Sequence, residues 1–274
     1  MSQQGDSTMR IQILGTAAAE GWPAVFCGCK TCVRARAAGG RNLRSRASIQ
    51  IDDTHKIDLP PDTYYHVIRE RLDLSRLAHL FVTHSHGDHL DLVELGYTRP
   101  PFGHDLANAP VRIYGNETVT SAILSRYGDT LPIELVTLKP FDPIRTDSLV
   151  FTPIEAHHNP NEQCLNYLIE SDSATVLYAS DTGEYEQHSL DFLKGHQYDL
   201  LIVECTQGTL PYPATNHMSF EAVLRLRDAL AGPAGVRTII THFSHNIGLL
   251  HDELEAVANP EGVEVAYDGM KIEC

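Results

Sequence analysis

Four short apolar runs in this 274-residue chain end alike, and that shared ending limits the folds open to it. "LAHLFVTHSHGDH", "ATVLYASDTG", "LIVECTQG" and "VRTIITHFSH" each pass from a strand-like stretch into His, Asp or Glu. Runs this short and rich in β-branched residues read as strands. Sheets that carry chemistry present it where strands end and loops begin, so one edge is expected to gather all four. "IQILGT", "ASIQI", "VRIYG", "SLVFTPIEA", "CLNYLIE" and "VEVAYDG" are further runs of the same kind. "DTYYHVIRERL" and "SFEAVLRLRDALAG" instead repeat apolar residues three and four apart, as amphipathic helices do, and Ser219 is placed to cap the second. Early strands follow one another with few helices, and later strands alternate with helices. The expectation is a single α/β domain over residues 1–274, with strand-rich sheets covered by helices. Residues 1–8, within "MSQQGDSTMR", read as a flexible polar tail.

Charge narrows the partners. With 36 acidic against 21 basic residues the formal charge is −15, which argues against tracking a long nucleic acid. It does not argue against a small anionic substrate, because bound metal ions reverse the local field. No apolar run nears the length a bilayer needs, and no basic segment followed by an apolar one opens the chain. A cytoplasmic protein without a membrane partner is expected.

The densest chemistry lies in "THSHGDHLD", which brings His84, His86, Asp88 and His89 within six positions. Imidazoles two apart in extended chain point the same way, so His84 and His86 can grip one ion. Asp88 and His89, past the turn at Gly87, can face a second. Nitrogen and oxygen ligands suit zinc, manganese or iron, which leaves the metal open. Four ligands do not finish two sites. "EAHHN" offers His157 and His158, "ASDTG" offers Asp181, and "THFSH" offers His242 and His245. Taken singly these have plain explanations, since Asp before Thr-Gly is often a turn former. "FCGCKTC" adds Cys27, Cys29 and Cys32, three of the four ligands a closed zinc site requires, with a redox cluster as the competing reading. Cys164, Cys205 and Cys274 are scattered, the first two in apolar runs as core thiols would be.

The HxHxDH run, then a His, then an Asp after a strand, then a late His, resembles the metallo-β-lactamase superfamily over nearly the whole chain. The resemblance implies a four-layer αββα sandwich with a two-metal site at one edge. By that likeness His84, His86 and His158 hold the first ion, Asp88, His89 and His242 the second, and Asp181 bridges them. His158 is preferred to His157 because the pattern expects its His just past the strand "VFTPIEA". "LGTAAAEGWPAVFCGCKTCVRAR" and "THFSH" are similar to words of the cyclic-phosphate phosphodiesterase branch of phosphonate breakdown. That likeness implies that His245 completes a structural zinc with Cys27, Cys29 and Cys32. It also implies that His217, in "NHMSFEAV", is a general acid or oxyanion partner, with Asp88 beside the attacking water.

The implied cofactors are two catalytic divalent ions, manganese or zinc, and one structural zinc. The implied reaction is hydrolysis of a small phosphodiester, in a cyclic ribosyl phosphate for example. A lactone or ester hydrolase, or a non-hydrolytic metal protein of cofactor biosynthesis, is the alternative on the same scaffold. A homodimer accords with the habit of soluble proteins, although no interface signature is legible. Two positions stand apart from the pattern. "KIDLPPDT" replaces the usual Asp-x-Gly, so Asp58 is the residue to support the ligand loop and Pro60-Pro61 reshapes the wall beside it. Glu204 reads equally as a partner of His217 or as a strand-end acid.

Overall fold

The structure, a computed structural model, describes residues 8–211, 213, 215–231 and 235–274. All but the last residue of the tail expected at 1–8 therefore lies outside the described residues.

Two seven-stranded sheets carry the fold. The first contains β1 (Arg10–Gly15), β2 (Ser48–Ile51), β3 (His55–Ile57), β4 (His79–Phe81), β5 (Val111–Gly115) and β6 (Ile133–Thr137), with the last strand of the chain, β14 (Lys271–Glu273), paired to β1. The second runs from β7 (Ile144–Arg145) through β8 (Val150–Glu155), β9 (Leu165–Glu170), β10 (Thr175–Ala179), β11 (Leu200–Glu204) and β12 (Arg237–Thr241) to β13 (Val263–Val265). Among the described residues seven α-helices accompany them: α1 (Lys30–Ala38), α2 (Thr63–Glu70), α3 (Leu92–Leu95), α4 (Glu117–Tyr127), α5 (Gln187–Leu193), α6 (Phe220–Leu230) and α7 (His251–Ala258).

Alternation along the strands sorts the side chains into layers. In the second sheet Val176, Tyr178, Leu200 and Ile202 face the first sheet, where they meet Ile49, Ile57 and Phe81. Leu177, Ala179, Leu201 and Val203 face the other way and pack under Val223, Leu226 and Leu254 of α6 and α7. A third apolar layer joins Leu80 and Ile113 to Val119 and Ile123 of α4. Both faces of the central strands are thus buried, which is why those runs are apolar without a break. The four-layer αββα sandwich follows. Phe81 ties the sheets together, stacked 4.3 Å from Tyr114 of its own sheet and 3.8 Å from Phe151 of the other.

Neighbours β3 to β6 run parallel, as do β10 to β13. Parallel strands end on the same side, so the residues after β3, β4, β10, β11 and β12 share one edge, as the recurring strand ends suggest. More of the chain is helical than its periodicity shows. α1 begins inside the cysteine window and buries only Cys32 and Ala35, too narrow a stripe to register as amphipathic. "LAHLFVTH" yields a strand of three residues, because the chain leaves β4 to form the ligand loop.

Candidate metal centre

Six side chains converge on Asp181 at the shared edge. His84 Nε2 lies 2.9 Å from His86 Nδ1, and His158 Nε2 lies 3.3 Å from that same atom. Asp181 Oδ2 is 3.4 Å from His84 Nε2 and 3.6 Å from His158 Nε2. On its other side, His89 Nε2 stands 2.9 Å from Asp181 Oδ2 and 3.2 Å from Asp88 Oδ2, and His242 Nε2 is 3.1 Å from Asp181 Oδ1. Each of these two sets of four offers ligand atoms within 4.8 Å of one another, and Asp181 belongs to both. That is the arrangement expected of a bridging carboxylate.

The donors fit metal ions on two counts. His89 Nε2, His242 Nε2 and Asp181 Oδ1 are buried without a hydrogen-bond partner, although His89 Nε2 lies 2.9 Å from Asp181 Oδ2 and His242 Nε2 lies 3.1 Å from Asp181 Oδ1. Buried polar atoms are almost always satisfied, so three orphans aimed at one space fit a bound cation. Meanwhile the second nitrogen of every histidine is held. His84 Nδ1 meets Thr83 Oγ1 at 3.0 Å, His242 Nδ1 meets Thr206 Oγ1 at 2.8 Å, and His89 Nδ1–H donates to Asp58 Oδ2 at 2.6 Å. His158 Nδ1–H donates to Asn216 O at 3.0 Å, and the Asn159 amide lies 3.3 Å from His86 Nε2. Such outer partners fix ring orientation, and the acceptors at His84, His89, His158 and His242 leave the other nitrogen's lone pair toward an ion.

Charge follows the same logic. Burial pushes His84 well below the ordinary histidine value, keeping it neutral as a ligand must be. Burial would raise Asp181, but His242 and His89 outweigh it and hold the carboxylate well below its usual range. His89 is the opposite case: burial would lower it, but the carboxylates of Asp58, Asp88 and Asp181 outweigh burial and hold it up, its proton serving the positive charge that an ion would otherwise bring to them.

Three residues of the centre sit in left-handed backbone just past strands, Asp58 (φ 63°) and His242 (φ 57°) as the next residue and Asp181 (φ 50°) one further on. Non-glycine residues in that region cost about 1 kcal/mol or more each and cluster at functional sites. The turn re-aims each side chain from the sheet into the centre. Asp58 also accepts Thr83 N–H at 2.8 Å and Thr83 Oγ1–H at 3.0 Å, so it supports the ligand loop despite its changed sequence context.

His217 and Glu204 form a pair beside Asp181. Glu204 Oε1 accepts from His217 Nδ1 and Thr182 N, both at 2.8 Å, while Oε2 accepts from Thr206 N and Met218 N. A carboxylate saturated by three backbone amides is not free to ligate, so Glu204 is the partner of His217 rather than a bare strand-end acid. Burial would lower His217, but Glu204 and Asp181 raise it to about 9.

The cysteine window reaches its fourth member across the fold. Cys27, Cys29, Cys32 and His245 bring their ligand atoms within 4.8 Å, with His245 Nδ1 3.5 Å from Cys29 Sγ. Glu20 lies 3.7 Å from the other ring nitrogen. The Cys32 backbone N–H and His245 lower Cys29 to about 6, whereas burial pushes Cys32 up to about 11. Cys164 and Cys205 are buried core thiols.

His157 stays outside: it is half exposed, faces Glu184 O at 3.3 Å, and leaves the cluster to His158. Several contributors escaped the sequence reading. Glu162 accepts from both Ser85 N and Ser85 Oγ, between His84 and His86, and from buried Asn116. Asn159, Thr206 and Glu20 likewise carry no local signal, since only tertiary contact gives them a role.

The profile of the beta-lactamase superfamily domain matches residues 59–243, more than half of the chain. The chain belongs to this superfamily. The matched span holds every member of the Asp181 cluster and stops short of both Cys27 and His245. No curated protein is matched in sequence. Among solved structures, a diphosphatase from the PhnP family superposes with a TM-score of 0.79 at 23% identity, covering 97% of each chain. Zn(2+)-bound PqqB from Methylobacterium extorquens gives 0.77 at 16% identity, over 97% of this chain and all (100%) of that one. The short form of human tRNase Z gives 0.64 at 16% identity, over 96% and 98%. At these identities the likeness is one of fold.

Proposed function

We propose that the chain hydrolyses a small phosphodiester at a two-ion centre. His84, His86 and His158 would hold one ion, Asp88, His89 and His242 the other, and Asp181 both. Manganese and zinc are both compatible with this donor set. Two divalent ions bound there would supply Lewis acidity toward a phosphoryl oxygen and an acidified water, of pKa about 7.

The chain's own residues complete the reaction. Asp88 presents a carboxylate at the edge of the cluster that orients an attacking water. Glu204 Oε1 accepts a hydrogen bond from His217 Nδ1–H at 2.8 Å, which fixes the ring and leaves Nε2 to carry the transferable proton. His217 then hands the Nε2 proton to the departing oxygen, or bonds it as charge develops. The observation that carries this reading is the Glu204–His217 pair, 2.8 Å apart and in contact with the bridging carboxylate. A pure binding site has no need of a positioned proton donor. Cys27, Cys29, Cys32 and His245 would hold a structural zinc, which ties the N-terminal loop to the loop bearing His242. The formal charge of −15 favours a small substrate over a nucleic acid.

The test is phosphorus NMR of the protein reloaded with manganese or zinc and given a five-membered cyclic phosphate. A monoester signal should appear, and should be lost in His217→Ala and Asp181→Ala. Full metal occupancy with no cleavage of the diester, but opening of a lactone or an ester, would sink the phosphodiester reading.

A further inference from the structure

Two adjoining cavities open beside the centre and share His157, Glu186 and Thr215. The nearer, of about 580 Å³, has His158 in its wall and so begins at the first ion's ligands. Asn161, Gln163 and Asn216 also line it. Their side-chain amides make no hydrogen bond among the described residues and are exposed. A free carboxamide offers donors and acceptors together, which matches hydroxyl groups and gives no net charge for an anion.

The charged members of the wall are all acidic. Glu155 is engaged by His188 at 2.9 Å and Glu186 lies 3.9 Å from the His157 imidazole, but among the described residues neither Glu162 nor Glu186 pairs with a Lys or Arg. The larger cavity, of about 1010 Å³, includes one cation, Arg225, and Glu184 holds it at 2.8 Å. The amino end of α6 at that cavity is capped by Ser219 and carries Glu221 in its first turn. Residues 1–7, 212, 214 and 232–234 contain no Lys or Arg. A second phosphate on the substrate would therefore meet carboxylates and no free Lys or Arg among the described residues.

We infer that the group esterified to the scissile phosphate is an uncharged, hydroxyl-rich one, a sugar or polyol, and that a second phosphate on it is rejected. This rests on the phosphodiester reading, and the experiment separates the two. The manganese-loaded full-length protein is given methyl riboside 2,3-cyclic phosphate, or the same compound bearing a 5-phosphate. Calorimetry measures binding of the corresponding ring-opened monoesters, and phosphorus NMR follows turnover.

The compound without the 5-phosphate should bind at least about tenfold more tightly, from uncompensated carboxylate repulsion. Glu186→Lys, an exposed change outside the catalytic set, should narrow that ratio several-fold. Equal or tighter binding of the 5-phosphate compound, or binding of neither, overturns the inference whether or not either diester is cleaved. A preserved binding preference with no cleavage supports the inference on the pocket and overturns the phosphodiester reading alone.

Discussion

Asp58→Asn isolates what one buried carboxylate contributes to the proposed second ion. Asp58 is fully buried and accepts three hydrogen bonds: Thr83 N–H at 2.8 Å, Thr83 Oγ1–H at 3.0 Å and His89 Nδ1–H at 2.6 Å. Asparagine is nearly isosteric and tolerates the left-handed backbone that Asp58 adopts, so the loop is expected to keep its path. Its oxygen can still accept from Thr83 N–H, but an NH₂ group now faces His89. Either two donors confront each other, or the ring changes tautomer and its proton moves to Nε2, the atom 2.9 Å from Asp181. The first displaces the ring and the second takes the lone pair from Nε2, so either weakens Nε2 as a ligand. Losing one charge-assisted bond is worth about 1.5–3 kcal/mol. That agrees with the roughly 10–100-fold loss of metal affinity typical when an outer partner is removed. Competition with a chromophoric chelator should show one of three ions weakened by this factor. The ion at Cys29 should hold within about threefold, since Asp58 shares no partner with that set, and the ion at His158 should weaken less than the one at His89, being reached only through Thr83 and Asp181. Wild-type affinity for all three would refute the argument that Asp58 acts by fixing the His89 tautomer.

Other perturbations probe the same scaffold. Lys56 is fully buried beside Ser48, and burial lowers its ammonium to about 7 from an ordinary 10.5 although Asp58 pulls it upward. Between those values the unfolded chain binds a proton that the folded chain lacks, so stability rises with pH from 7 to 10.5. Lys56→Met should stabilise by about 2–4 kcal/mol at pH 6, with the advantage fading toward pH 10.5, as read by denaturant unfolding. A variant no more stable than the parent at pH 6 rejects this. Glu162→Gln should weaken the ion at His84, His86 and His158 about tenfold, seen as an altered visible spectrum of the cobalt-loaded protein, while Glu162→Asp restores part of the loss. An unchanged spectrum in Glu162→Gln removes Glu162 from the ligand loop's support. Cys29→Ser should lose one zinc by elemental analysis and lower Tm by about 5–10 °C. Retention of that zinc would show that Cys29 is not a ligand.

What the sequence displayed about this centre depended on how local each signal is. His84, His86, Asp88 and His89 lie within one loop, so their shared purpose shows in six consecutive positions. Asp181, Glu204 and His242 are spread over more than sixty residues, yet each stands out as a polar residue ending an apolar run. Parallel pairing of β10, β11 and β12 then brings those ends together. The left-handed turns at Asp181 and His242 were not legible, because "DTG" reads as an ordinary turn and His gives no hint of a positive φ. Nor was β3, where Lys56 and His55 interrupt a three-residue strand whose outer face is buried polar rather than apolar.

The least legible parts are those that make the cluster rigid. Asn116 caps α4 with its Oδ1 and, with the same amide, donates to Glu162 Oε1 and Gln163 O at 2.8 Å. Glu162 in turn grips Ser85 at 2.8 and 2.7 Å, between two histidines of the centre. The loop that bears His158 is therefore fastened to the loop that bears His84 and His86 through a helix cap. Leu165 N–H donating to Thr83 O at 2.9 Å repeats the fastening from β9. None of these partners is marked by periodicity or spacing, since each acts only once the two sheets have closed on Phe81. The same loop also supplies Asn161 and Gln163 to the adjoining cavity. A substitution there that alters which alcohols are accepted should shift the first ion's affinity together with specificity, because one clamp holds both.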